Sequence, residues 1–329
     1  MTQTVSQVAA ATPELYRAAL DAVVRLDESA RGRLRLTDVG RADLLHRLTT
    51  NDIVKLKPGE GARTALINHN ARILDLLTVY ALPEHLLVTN NPGQGGALTR
   101  FLQSKIFFND KVAVEDLTDT TIQIQLYGPQ SAALIRAVTS VDPADWPLHH
   151  IQVAAIGAAQ VWVARTLPLG GDGFVILAQR DDAEAIEQAL ASAPQLDEAT
   201  LDVLRIEQGY PMARRELSTE YIPLETGLSD AVSFTKGCYV GQEIIARMES
   251  RNRLAKRLMG LRLSQPVAPG GKLSYEGKEA GDLTSVAESP RFGLIGLAYV
   301  RTAAAAPGTR VEVGAGVSAE VVELPFGAA

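Results

Sequence analysis

The residues best suited to chemistry lie in one stretch, KGCYVGQE, running from Lys236 to Glu243. Cys238 is the chain's single cysteine. Its nucleophilic form is the thiolate, and the positive charge of Lys236 two residues earlier would favour that form. Gly237 and Gly241 flank the Cys238–Tyr239 pair, and residues without a Cβ let the backbone approach a ligand closely or take a positive φ. Gln242 and Glu243 are expected to brace the loop through hydrogen bonds to its backbone. The competing reading is a buried, inert thiol, a common fate of free cysteine. One cysteine excludes an intramolecular disulfide and cannot itself hold an iron–sulfur cluster, which needs about four protein ligands.

Other chemistries find little support. The five histidines, His46, His69, His85, His149 and His150, are not at metal-ligand spacing with acids or with the cysteine. No phosphate loop or G-x-G-x-x-G follows a strand; PGQGG at 92–96 and GGDG at 170–173 read as turns. A net charge of −6 argues against general nucleic-acid binding. The local exception is RMESRNRLAKRLMGLR, 247–262, where Arg247, Arg251, Arg253, Lys256, Arg257 and Arg262 outweigh Glu249. It reads as a solvated face or as a contact for RNA or protein.

At 329 residues the chain exceeds what one hydrophobic core supports, and 46% apolar with 21% charged residues is globular composition. No apolar run reaches the length of a membrane span, and the opening MTQTVSQVAAATPELYRAAL lacks a basic start with an apolar run, so a cytoplasmic protein without a membrane partner is expected.

The elements that must hold these groups follow from periodicity. A helix is predicted from Pro13 to Val24, then a short strand at Arg33 to Thr37, then a helix capped by Asp38 that carries Leu44, Leu45 and Leu48. Successive β runs TALIN, RILDLLTVY and HLLVTN, between Arg63 and Asn90, predict an antiparallel meander. Helix is expected from Gly95 to Gln103, then the alternating strand TIQIQL with Ile122, Ile124 and Leu126 on one face. Strands at Ile151 to Ala155 and Val161 to Thr166 and a helix at Ala183 to Leu190 repeat the α+β mix. After about Leu258 short strands and glycine-rich turns predict a small β-barrel.

GRADLLHRLTTNDIVKLKPGEGARTALIN (40–68), the meander, LRIEQGYPMARREL (204–217) and KGCYVGQEIIAR (236–247) together resemble the aminomethyltransferase superfamily, and the full GCYxGQE points to its tetrahydrofolate-binding YgfZ branch. The resemblance implies an aminomethyltransferase-like α+β fold: a core over 1–250, made of subdomains at 1–115 and 116–200 completed by 201–250, followed by a barrel at 251–329. It implies a tetrahydrofolate cofactor and service to iron–sulfur client enzymes, including those that modify tRNA. Glu207 matches the position that grips the pterin edge, Arg247 an arginine near the folate and Asn90 an asparagine at the pocket rim. The competing readings are a surface helix-end glutamate, one more member of the basic run, and a turn cap. Aminomethyl transfer in the family uses an aspartate on the second meander strand, and alignment places Leu76 there with Asp75 one residue earlier. In an unbroken strand Asp75 would then face away from the pocket. This favours an accessory protein, with Cys238 as its reactive candidate, over an aminomethyltransferase, for which Asp75 is the candidate acid.

Overall fold

The computed structural model describes residues 8–251, 254–314 and 316–327. The chain forms two compact units, one of 17–196 with 230–242, the other of 1–16, 197–229 and 243–329. The first unit holds two five-stranded antiparallel sheets. In one, the meander Gly61–Ile67, Ile73–Ala81 and Leu86–Pro92 is extended by Arg31–Thr37 and Ala113–Asp116. Leu44, Leu45 and Leu48 of the helix Arg41–Leu48, and Leu98 and Leu102 of Gly95–Gln103, bury against Leu34, Leu36, Leu77, Val79 and Val88 of this sheet. The apolar rows recur at helical spacing on one side and strand spacing on the other, which is why the two surfaces interlock.

In the other sheet the order is Val24–Asp27, Thr121–Tyr127, Gly173–Gln179, Ala159–Arg165, Ile151–Ile156. One face packs Ile122, Ile124 and Leu126 against Ile135 and Ile186 of two short helices. Tyr80, Leu82 and Leu87 of the first sheet cluster with Ile151, Val175 and Leu177 of the second. Both faces are therefore covered, so every residue of Thr121–Tyr127 is buried, Gln123 and Gln125 included, although their alternation with apolar residues suggests a wetted face. Arg33 ties the sheets: its buried guanidinium donates to Thr121 Oγ1 at 2.6 Å and to the carbonyls of Arg31 and Thr118 at 2.6 Å each.

Two local expectations are corrected. The helix opening at Pro13 stops at Asp21, because Val24 starts a strand that pairs with Tyr127. Asp38 does not cap the helix Arg41–Leu48 with its side chain; Gly40 occupies the N-cap, and Asp38 sits at φ 72° with its carbonyl accepting from the Arg41 guanidinium at 2.8 Å.

The second unit contains the barrel. Six strands, Lys256–Leu263, Lys272–Tyr275, Lys278–Ser289, Gly293–Arg301, Arg310–Val313 and Val317–Val322, close where Lys278–Ser289 pairs with Gly293–Arg301. The helix Glu198–Gln208 belongs to this unit. Asp197 caps it by accepting from Thr200 N at 2.6 Å, and Gly209 ends it at φ 75°, where a Cβ would stand 2.9 Å from Leu324. Its Arg205 donates to Ser285 Oγ at 2.7 Å and to Asp202 at 2.6 Å and meets Glu216 at 3.3 Å, all buried. A guanidinium out of water needs each of these partners, so removal of one is far more costly than removal of a surface pair. Long-range pairing places 197–229 in one compact unit with the barrel. Among the described residues no helix is long and apolar enough to cross a membrane.

His149, buried in the first unit, gives the fold a pH dependence. Burial and the nearby charge of Arg63 push its imidazole down to about 4 from an ordinary 6.5. The folded state favours the neutral ring, so the stabilisation is complete above 6.5 and is lost as pH falls from there through about 4. The full loss is about 3 kcal/mol at 1.36 kcal/mol per unit. Denaturant unfolding on either side of 6.5 should show a smaller drop for His149→Gln than for the unchanged protein; equal drops would assign the acid sensitivity elsewhere.

Candidate functional site

In the meander, the strand Ile73–Ala81 buries Asp75, Leu77 and Val79 on one side and leaves Leu74 and Leu76 partly exposed. The strand is not unbroken. Leu66 pairs with Asp75 but Ile67 pairs with Ile73, so Leu74 is an extra residue and the register shifts immediately before the aspartate. The shift lies before Asp75, so from Asp75 onward the alternation is regular and Asp75 shares its side with Leu77 and Val79, as expected of the strand.

Asp75 is nearly inaccessible, and its carboxylate is held by neutral donors. Oδ2 accepts from Asn90 Nδ2 at 2.8 Å; Oδ1 accepts from Asn91 Nδ2 at 2.7 Å and from Leu76 N at 2.8 Å. Burial nevertheless raises its affinity for a proton above the ordinary carboxylate range, partly offset by these hydrogen bonds and by the charge of Arg31. Desolvation penalises the charged form and donors to it favour it; here burial outweighs the donors. Such a carboxylate holds a proton more readily than an exposed one.

Asn90 is fully buried and not at a rim, which corrects the expectation from the resemblance; its amide serves Asp75. Among the described residues its Oδ1 accepts no hydrogen bond, and it lies 2.0 Å from where a Cβ on residue 32 would stand, so only glycine fits at Gly32. Beyond Asp75, Arg31 pairs with Glu28, Gln125 Nε2 donates to the same Glu28 oxygen, and Tyr127 donates to Gln125 Oε1 at 2.5 Å. Sequence reasoning missed Asn91, Arg31, Glu28, Gln125 and Tyr127, because they come together from separate strands. The doubled Asn90-Asn91 and the polar residues inside an apolar strand were the available signals.

The KGCYVGQE segment divides in its duties. Lys236 is buried, and its ammonium donates to the carbonyls of His46 at 2.6 Å, Thr49 at 2.8 Å and Asn51 at 2.7 Å. Three N–H groups meet three acceptors, which leaves none for folate or for activating the thiol, as the sequence reading had it. Burial pushes Lys236 down to about 8, while Asp52 and the three carbonyls favour the charged form. Gly241, at φ 79°, packs where a Cβ would lie 2.8 Å from Asn68 O, so its glycine is a packing requirement within this unit. Gly237 has open space around it, and Cys238 is exposed, which removes the buried-thiol reading. The Tyr239 ring lies 4.8 Å from the Lys236 ammonium. Gln242 opens the helix Gln242–Arg251, its N–H donating to Tyr239 O at 3.3 Å, and Glu243 is an acid in that helix's first turn. Among the described residues neither side chain hydrogen-bonds the loop backbone, so the expected brace is replaced by this helix start and by Lys236.

Glu207 lies near the end of the helix Glu198–Gln208 and is buried, which removes the surface alternative. Tyr16 donates to Oε1 at 2.7 Å and Ser289 donates to the same oxygen at 2.5 Å. Burial raises Glu207 above the ordinary carboxylate range. Both protein donors thus share one oxygen, and among the described residues no hydrogen bond is directed at Oε2. Arg247 is exposed on its helix. The basic run is split: Arg253 lies outside the described residues, as does the side chain of Arg251, while Lys256 rests 4.2 Å from the Tyr221 ring and Arg262 5.7 Å from that of Phe292. No group of three or more histidine, cysteine or acidic residues is placed to hold a metal among the described residues.

Two family profiles match: the GCVT N-terminal domain over residues 5–236 and the glycine cleavage T-protein C-terminal barrel domain over 256–327. A putative chloroplastic transferase from Arabidopsis thaliana is 34% identical, covering 94% of this chain and 73% of its own. An aminomethyltransferase from Streptomyces avermitilis is 32% identical, covering 91% of this chain and 85% of its own. The crystal structure of the glycine cleavage system aminomethyltransferase T from Bartonella henselae superposes with a TM-score of 0.85 at 23% identity, over 97% of this chain and 91% of its own.

The Asp75 cluster makes a prediction. Asn91→Ala removes one donor to the charged carboxylate, so the Asp75 titration should move further up, by about one unit for a donor worth roughly 1–2 kcal/mol. Carboxyl-resolved NMR titration of the two proteins reads it directly. An unmoved or lowered titration would mean that Asn91 does not hold the ionised form.

Proposed function

Since the chain belongs to the glycine cleavage T-protein family, with that family's N-terminal domain and C-terminal barrel, we propose that it is a tetrahydrofolate-binding accessory protein that supports iron–sulfur enzymes, among them enzymes that modify tRNA. The observation that supports this most is the Glu207 carboxylate, with Oε1 taken by Tyr16 and Ser289 and Oε2 left for a ligand. A pterin edge offers adjacent N–H donors, and a buried carboxylate is their natural acceptor. The donor set fits: Glu207 would hold the ring edge and Arg247 a glutamyl carboxylate. The chemistry that a bound reduced folate brings is the acceptance or release of a one-carbon unit at its ring nitrogens.

Cys238 supports the accessory role, being an exposed thiol on an open loop that could accept or pass a sulfur species. A cytoplasmic setting, where such a thiol stays reduced, accords with this. Apart from Arg247, the run 247–262 has no part in the reading, because it divides between a helix and a barrel strand.

A second reading, one-carbon transfer of the aminomethyltransferase kind, is favoured by Asp75. Its burial and its grip by Asn90 and Asn91 are what a proton-handling carboxylate requires, in spite of Leu76 in the neighbouring position. Asp75→Asn would abolish ammonia release from an aminomethylated carrier under this reading and leave client support intact under the first.

Calorimetric titration with tetrahydrofolate tests the shared premise. Glu207→Gln keeps an oxygen for Tyr16 and Ser289 but turns the second oxygen into an amide donor, and affinity should fall about tenfold or more for the loss of a charge-assisted pair. An unchanged Kd in a folded variant would remove Glu207 from the site. Absence of binding in the unchanged protein would remove the folate reading itself.

A further inference from the structure

The first unit carries a built turn that the folate reading does not use. Residues 104–111, SKIFFNDK, follow the helix Gly95–Gln103 and expose two phenylalanines. Phe107 is 64% and Phe108 104% exposed, so the second ring stands wholly in water, and Val39 nearby is 77% exposed. Val39 adjoins the same turn, since Gly40 N donates to Lys111 O at 2.8 Å. Scattered surface hydrophobics need no explanation, but a turn organised to hold aromatic rings outward does.

The turn is organised. Asp110 N donates to Phe107 O at 2.9 Å, and Phe107 N donates to Asp110 Oδ2 at 2.8 Å, which closes it from both sides with Phe108 and Asn109 at the tip. Arg47, at the end of its helix, pairs with Asp110, donates to Lys105 O at 2.9 Å and stands 5.1 Å from the Phe107 ring. The one acid of the turn is thereby neutralised. Lys105 and Lys111 remain on either side of the rings with no acidic partner among the described residues.

We propose that this turn is a docking point for an anionic lipid surface, Phe107 and Phe108 entering the headgroup boundary while Lys105 and Lys111 meet acidic phospholipids. The charge pattern selects the occupant: apolar rings at a convex tip, flanked by two cations that no acid neutralises among the described residues, Lys105 standing 5.3 Å from the Phe101 ring, match a bilayer interface, which needs only the tip. A protein partner needs a complementary area of roughly 800 Å² per side, which a convex tip does not offer. Apolar insertion and attraction of the cations to an anionic surface act together, giving reversible attachment of a protein that need not span the membrane.

Vesicle co-sedimentation tests this with the full chain. Vesicles of equal parts phosphatidylcholine and phosphatidylglycerol should retain the unchanged protein, vesicles of phosphatidylcholine alone should retain little, and added salt should release it. Phe108→Ser, at a fully exposed position, should lower partitioning about tenfold with unchanged thermal unfolding, and Lys105→Glu with Lys111→Glu should abolish the preference for the acidic lipid. Phe108→Trp should add a blue-shifted emission on vesicle addition. No retention of the unchanged protein overturns the assignment and leaves the turn to a protein partner. Retention that Phe108→Ser and the lysine reversals leave untouched overturns it equally.

Discussion

A buried carboxylate must be answered by donors, and in this protein that constraint decides which distant pieces of chain meet. Glu207 draws Tyr16 from the N-terminal helix and Ser289 from the end of a barrel strand onto one oxygen, while its backbone carbonyl accepts from Phe326 N at 2.7 Å. Three segments separated by most of the sequence are thus fixed around one side chain. The same logic governs the Arg205, Glu216 and Ser285 network in this unit and the Asp75, Asn90 and Asn91 cluster in the other. Burial raises Glu207 and Asp75 above the ordinary carboxylate range, so the groups that organise the fold are also those poised for proton exchange.

Structural and chemical duties are separated inside KGCYVGQE. Lys236 and Gly241 belong to the scaffold, one by binding the carbonyls of His46, Thr49 and Asn51, the other by fitting against Asn68. Cys238 and Gly237 are left open between them. A rigid frame around an exposed thiol is a sensible design for a group that meets other molecules, since the frame holds the loop without covering it.

Much of the architecture was legible because hydrophobic periodicity is local. The meander, the helix carrying Leu44, Leu45 and Leu48, and the closed barrel all follow from spacing that any short window displays. What escaped was set by long-range events. Gln123 and Gln125 look like a wetted face, yet both faces of their strand are covered; Asp38 looks like a cap, yet Gly40 takes that place. The bulge at Leu74 leaves no mark in RILDLLTVY, because one extra residue in a ladder depends on the partner strand. Lys236 was read from its neighbour in sequence, whereas its partners lie about 190 residues away. Asn90 and Asp75 were each singled out, but their contact needed the fold.

The central claim is that Glu207 keeps one carboxylate oxygen for a pterin. Burial lifts its proton affinity, and a ligand that donates to the ionised form must lower it again, so binding must release a proton. Titrating tetrahydrofolate calorimetrically in two buffers of different ionisation enthalpy, at a series of pH values above the ordinary carboxylate value, measures this. The account predicts net proton release by the unchanged protein that is absent from Glu207→Gln. Identical proton balance in the two proteins, or uptake by the unchanged one, would contradict it.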